Sequence, residues 1–242
     1  MRNYKLTIQY DGTEYAGWQI QENSNTVQGT ITAAIRLLLK EKINLIGAGR
    51  TDSGVHAAGQ AANFRTESVI DIYRFKHSLN SILPFDISIK KMEEVPEDFH
   101  ARYDAKKRAY FYLISKTKNP FFRNYSYFYH KEIDLDKLNR LSKIISGTKD
   151  FTSFCRKNSE VENKICTVYQ ISWREIRELI VFYIKADRFL HGMVRTIAGT
   201  LLRSQELSEP ENYLNGIFNL KNRESAFEAV PANGLFLYKV EY

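Results

Sequence analysis

Apolar side chains at alternate positions, Tyr4, Leu6, Ile8 and Tyr10, split the start of this chain into a buried and a wet face, and the pattern stops at Asp11-Gly12. A period of two is that of a half-buried strand, and Asp-Gly is a turn dipeptide. The period then changes. Val27, Ile31, Ala34, Ile35 and Leu38 follow helical spacing after the capping candidates Asn25 and Thr26. This switching between short strands and short helices constrains the fold more than any other feature. A short apolar strand reaches Gly47, and another runs from about Gln60 to Phe64. Asp71 opens a second helix, with Ile72, Phe75, Leu79 and Ile82 on one face and Pro84 as its stop. Strands near Ile87–Met92 and Arg108–Ser115 follow.

The remainder repeats the grammar. Leu135, Leu138, Leu141 and Ile145 mark a helix closed by Gly147, and strands are expected at Ile165–Trp173 and Leu179–Ala186. A helix from about Phe189 to Leu202, a short one near Glu211–Asn219 and a final alternating strand, Leu235–Tyr242, complete the chain. Short strands with two helices per half predict an α+β fold of two similar α/β halves, antiparallel sheets flanked by helices, and not a doubly wound parallel sheet. The division is expected between residues 1–105 and 106–242, with the softest composition around Pro120, from Lys116 to Arg123.

Composition excludes several classes. At 43% hydrophobic and 26% charged, the chain is an ordinary globular one, neither disordered nor fibrous. The first residues, MRNYKLTIQYDG, lack the apolar core of a secretory signal. No apolar run is longer than the six residues of Leu179 to Ile184, far short of the ~20 residues of a membrane helix. Two cysteines, Cys155 and Cys166, make neither a disulfide scaffold nor a four-thiolate zinc site. A soluble cytoplasmic protein with no membrane partner is the expectation.

The net charge of +7 is concentrated. Between Phe99 and Tyr129 lie Arg102, Lys106, Lys107, Arg108, Lys116, Lys118 and Arg123 against one acid, Asp104, together with eleven aromatic rings. Cations that neutralise phosphates, interleaved with rings on which bases stack, suit single-stranded or looped RNA. The plainer reading is a strand with core aromatics and solvated lysines.

The chain has twelve glycines, of which Gly47, Gly49, Gly54 and Gly59 fall within thirteen residues. Such density marks tight backbone or close approach. Within the window sit Arg50, Asp52 and His56, side chains suited to handling charge. The loop is no P-loop, because Val55-His56 follows Gly54, and no dinucleotide fingerprint. Taken alone, Asp52-Ser53-Gly54 reads as a turn whose Asp accepts backbone N–H groups.

Taken together, Gly49-Arg50-Thr51-Asp52-Ser53-Gly54-Val55-His56-Ala57 resembles the catalytic motif of the tRNA pseudouridine synthase A family. Six further segments resemble that family in the same order. They are Tyr10-Asp11-Gly12-Thr13 through Gly17-Trp18-Gln19 with Val27-Gln28, Phe99-His100-Ala101-Arg102, Arg108-Ala109-Tyr110-Phe111-Tyr112, Asp150-Phe151-Thr152-Ser153-Phe154, Phe189-Leu190-His191-Gly192-Met193-Val194-Arg195 and Pro231-Ala232-Asn233-Gly234-Leu235. Gly192, Lys149 and Val230 depart from the family pattern, where a bulkier polar residue, a His and an Ala are usual.

The resemblance implies a reaction and a set of roles. Uridine in tRNA becomes pseudouridine when the N1–C1′ bond breaks, the base turns and a C5–C1′ bond forms, in the anticodon arm at family positions 38–40. The catalytic cleft is then expected between the two halves. An isomerisation gains and loses no group, so no cofactor is expected. No metal is expected either: the five histidines are never closer than 21 residues, and no HxxH pair occurs. Asp52 is the expected nucleophile, acting at C1′ or at C6 of the ring. Arg50 is expected to ion-pair with it and to fill the space left by the flipped base. Tyr110 matches the tyrosine that stacks on the target uracil. Arg102, Lys106, Lys107, Arg108 and Arg195 are the RNA-binding candidates, and a homodimer is implied. The alternatives are a non-catalytic RNA-binding protein of the same fold, and a retaining glycosidase, for which one acid between Ile43 and Arg65 is too few.

Overall fold

A computed structural model describes residues 1–157 and 161–242. In chain order the elements are β1 (Arg2–Tyr10), α1 (Val27–Leu39), β2 (Ile46–Gly47), β3 (His56–Thr66), α2 (Ile72–Ile82), β4 (Ile87–Val95), β5 (Lys107–Ser115), β6 (Tyr127–Phe128), α3 (Leu135–Ile145), β7 (Gly147–Asp150), β8 (Ile165–Ile176), β9 (Leu179–Ala186), α4 (Met193–Ser204), α5 (Pro210–Leu220) and β10 (Leu235–Glu241). They form two compact units, residues 1–106 with 236–242, and residues 107–235.

The first unit orders its strands β4-β1-β3-β10, with β2 also on β3. β1 pairs antiparallel with both neighbours, Leu6 standing opposite Ala62 of β3 and Met92 of β4. Tyr4, Leu6, Ile8 and Tyr10 are all buried, as period two requires. The Thr26 side chain caps α1, accepting from the Gly29 amide, and Val27, Ile31, Ala34 and Ile35 bury the expected face. Asp71 caps α2 in the same way, accepting from the Arg74 amide.

The second unit orders its strands β5-β9-β8-β7, with β6 on β5. β5 and β9 run antiparallel, Tyr110 opposite Ile184 and Tyr112 opposite Phe182. The Asp134 side chain caps α3, which buries Leu138, Leu141 and Ile145. Mixed α+β architecture in both units agrees with the reading from sequence.

Four features differ from expectation. β10 pairs with β3, Phe236 opposite His56, so the last strand belongs to the first unit and the second ends at Leu235, not at residue 242. That pairing is parallel, as is β6 on β5, so the sheets are not purely antiparallel. α4 begins at Met193 and not at Phe189, because Gly192 at its N-cap takes a left-handed φ of 74°. β7 follows the α3 helix as an unexpected edge strand, since Thr148, Lys149 and Asp150 offer no apolar alternation. Among the described residues no helix is long and apolar enough to cross a membrane.

Candidate active site

The glycine-dense loop spans residues 48–55, between β2 and β3. Its entry is anchored twice. The Ala48 amide donates to the Ala61 carbonyl at 2.7 Å, and the buried Gln60 side chain donates to the Gly49 carbonyl at 2.9 Å. Ala48, Ala61 and Ala101 pack as a small-residue cluster beneath, so β2, β3 and the 99–102 segment approach closely.

The middle of the loop is held from the other side by residues 10–18. The Tyr10 hydroxyl and the Thr51 hydroxyl are 2.8 Å apart and buried. The Trp18 amide donates to the Thr51 carbonyl at 3.1 Å, and the Ser53 hydroxyl donates to the Tyr15 carbonyl at 3.1 Å. Contact here is too close for side chains. A Cβ on Gly12 would stand 2.1 Å from the Val55 carbonyl oxygen, and one on Gly17 would stand 2.5 Å from that of Thr51. Gly17 also has φ of +100°, a conformation that penalises every L side chain.

Asp52 sits in this frame. Thr51 before it is buried and fixed; Ser53 after it is exposed; Asp52 itself is half-buried. The Val55 amide donates to the Asp52 carbonyl at 3.2 Å, closing a turn. The Asp-Ser-Gly turn suggested by residue types is therefore present. It places one half-buried carboxylate on a backbone fixed at the residues before and after it.

His56 lies at the loop's exit with 1% of its surface exposed. Its Nδ1 accepts from the Gly12 amide at 3.0 Å and lies 3.1 Å from an Asp11 carboxylate oxygen, while its ring stacks on Phe236 at 4.5 Å. Its place is in the frame and not at an open surface. Arg50 is exposed, two residues before Asp52 in the same loop.

Tyr110 stands on β5 in the second unit, buried, its ring edge-on to Phe189 at 5.2 Å. Its neighbour Tyr112 donates to the Pro231 carbonyl at 2.8 Å, and burial pushes its phenol far above the ordinary range. Tyr112 is therefore a structural donor, locked as the neutral phenol.

The RNA-binding candidates fall in both units. Arg102 and Lys106 are exposed in the first, Arg102 lying over the Tyr103 ring at 5.8 Å. In the second, the Lys107 ammonium lies 4.9 Å over the Tyr169 ring and Arg108 donates to the Asp187 carbonyl at 3.0 Å. Arg195, in the first turn of α4, donates to the Val230 carbonyl at 2.7 Å. Because that bond uses the backbone of residue 230, a Val for the usual Ala leaves the contact available. Among the described residues no group of three His, Cys, Asp or Glu could hold a metal ion.

Sequence reasoning attached no role to Tyr10, Gly12, Gly17 or Trp18, although the segment carrying them was prominent. Their signal was a Gly-rich stretch just after a strand end, a sign of backbone packed on backbone.

Comparison with known proteins bears on the whole chain. The tRNA pseudouridine synthase family model matches residues 6–104 and 142–242. A protein of Caldicellulosiruptor bescii named tRNA pseudouridine synthase A is 46% identical over 244 residues, covering all of both chains. Proteins of the same name from Clostridium acetobutylicum (44% identical, all of both chains) and Brachyspira hyodysenteriae (42% identical, 98% of this chain and 96% of that one) are similar throughout.

Proposed function

This chain belongs to the tRNA pseudouridine synthase family, and from that premise we propose that it converts uridine to pseudouridine in the anticodon arm of tRNA, at the family positions 38–40. The observation that carries the reading is a carboxylate on a fixed backbone: Asp52, half-buried, follows a Thr51 held by Tyr10 and Trp18.

Asp52 is the nucleophile in this reading. Its carboxylate bonds to the target nucleoside at C1′, displacing N1, or at C6 of the ring before the N1–C1′ bond breaks; the base turns, C5 bonds to C1′, the bond to Asp52 breaks, the C5 proton passes to water and N1 takes up a proton. Every atom of uridine is retained, so the reaction uses no cofactor. Arg50, exposed beside the nucleophile, fills the place of the extruded base. Extrusion costs a few kcal/mol, and stacking returns ~1–3 kcal/mol per base. Net affinity therefore comes from phosphate contacts, assigned to Arg102, Lys106, Lys107, Arg108 and Arg195. A homodimer acting in the cytoplasm completes the proposal, supported by the family alone.

The direct test is to map pseudouridine in tRNA incubated with the purified protein. Product at positions 38–40 is the expected result; none in any tRNA would leave an RNA-binding protein without this chemistry. Two variants separate chemistry from docking. Tyr110→Phe keeps the ring and loses the phenol, to which this reading gives a proton transfer, so tRNA binding should be near normal while the single-turnover rate falls. Reversing the charge of both Lys106 and Lys107 should weaken binding to every tRNA and flatten its salt dependence, by up to ~0.9 in slope per lost contact. An unchanged salt slope would mean that these lysines face solvent only.

A further inference from the structure

The aromatic, basic stretch 99–129 is two things in the structure. On β5 the rings of Tyr110 and Tyr112 are buried, and Tyr129 is buried after β6, as a strand core requires. The connection between them, residues 116–126, is the reverse. Phe121 is 87% exposed, and Phe122 and Tyr125 are each 37% exposed. Around them stand Lys116, Lys118 and Arg123, with no acid from residue 116 to residue 126. Lys116 is paired with Glu175 at 2.5 Å; Lys118 and Arg123 are exposed.

The backbone of this loop is nonetheless fixed. The Phe121 amide donates to the Asn119 side chain at 2.9 Å, and the Tyr125 and Ser126 amides donate to the Phe122 carbonyl at 2.9 Å each. The Asn233 side-chain amide donates to the carbonyls of Arg123 at 2.7 Å and Ser126 at 3.0 Å. Apolar rings held in water on an ordered backbone mark an interaction surface, and little conformational entropy remains to be lost when a partner docks.

We propose that the 116–126 loop is a docking surface for unpaired nucleotides of the substrate tRNA, with Phe121 as the stacking ring and Lys118 and Arg123 on adjacent phosphates. The proposal rests on the function above and adds a contact that neither the motif nor the basic strand supplies. Flat rings beside cations without acids complement a base and its phosphates. A second copy of the chain is the competing occupant, and a self-complementary contact through this loop would set its cations against their own copies.

The test uses the full chain and one unmodified tRNA, with affinity and oligomeric state measured together. Phe121→Ala should weaken tRNA binding about tenfold or more, because one base stack is lost. Phe121→Trp, which keeps a flat ring, should bind like the parent. Arg123→Gln should flatten the salt dependence by ~0.7–0.9 in slope. Binding by Phe121→Ala within twofold of the parent would overturn the proposal, as would equal weakening by Ala and Trp. A Phe121→Ala protein that sediments as a smaller species than the parent would show the loop to be a contact between copies, and would also overturn it. Absence of pseudouridine from the parent on that tRNA counts against the functional reading, whereas unaltered binding by Phe121→Ala counts against the loop alone.

Discussion

Asp52→Asn should form no detectable pseudouridine, while tRNA affinity stays within about tenfold, ~1.4 kcal/mol. The substitution preserves size and leaves the backbone contacts of residues 51, 54 and 55 untouched, so the loop keeps its shape. What disappears is the negative oxygen that adds to the nucleoside. An amide is a far weaker nucleophile, and no other carboxylate lies between Ile43 and Arg65 to replace it. Single-turnover assays with limiting tRNA measure this cleanly, because they exclude product release. A rate within a hundredfold of the parent would remove Asp52 from the covalent role.

Gly17→Ala should be nearly as damaging without touching a reacting group. A non-glycine residue in a left-handed conformation costs roughly 1–2 kcal/mol, and here the added methyl also meets a carbonyl oxygen at 2.5 Å. That oxygen belongs to Thr51, one residue before the nucleophile. The expected cost is about 2–4 kcal/mol of stability, with a loss in rate on the order of a hundredfold as the carboxylate is displaced. The matched control is Gly49→Ala. Gly49 lies in the same loop and the same motif, yet a Cβ there meets nothing within 4 Å and its φ is not positive. Its stability should change by less than about 0.5 kcal/mol. Thermal midpoints, at roughly 2–4 °C per kcal/mol for a chain of this size, read both. Equal damage from the two substitutions would mean that contact with residues 10–18 does not position Asp52.

The elements legible in the sequence were those whose buried faces repeat at a fixed period. β1, α1 and α3 announce themselves through apolar spacing, with a capping side chain before α1, and each forms where expected. β7 and β6 were illegible because an edge strand of four residues, or a strand of two, buries too little to need a pattern. The start of α4 was misplaced because Phe189 and Leu190 continue the apolar spacing, whereas the backbone at Gly192 breaks it.

The site divides in the same way. The residue types of the loop pointed to tight backbone and to one carboxylate. The spacing of Arg50 and Asp52 could not give the direction of either side chain. Tyr10 shows a third case. Its period-two position fixed its burial, but only the fold brings its hydroxyl to Thr51, 41 residues away.

The return of β10 to the first unit gives the nascent chain a timetable. β3, which leads directly out of the loop bearing Asp52, emerges from the ribosome early, yet one of its neighbours is made only after all of the second unit. At roughly 5–20 residues per second, its edge waits on the order of ten seconds or more for Phe236 and Leu237 to arrive. For that interval β3 is an open template for any other extended chain. His56 meanwhile lacks the ring on which it stacks in the finished protein. The glycine-dense loop thus leads into a strand that is completed only when β10 is made, so a polypeptide cut short during translation leaves Asp52 beside an unfinished sheet.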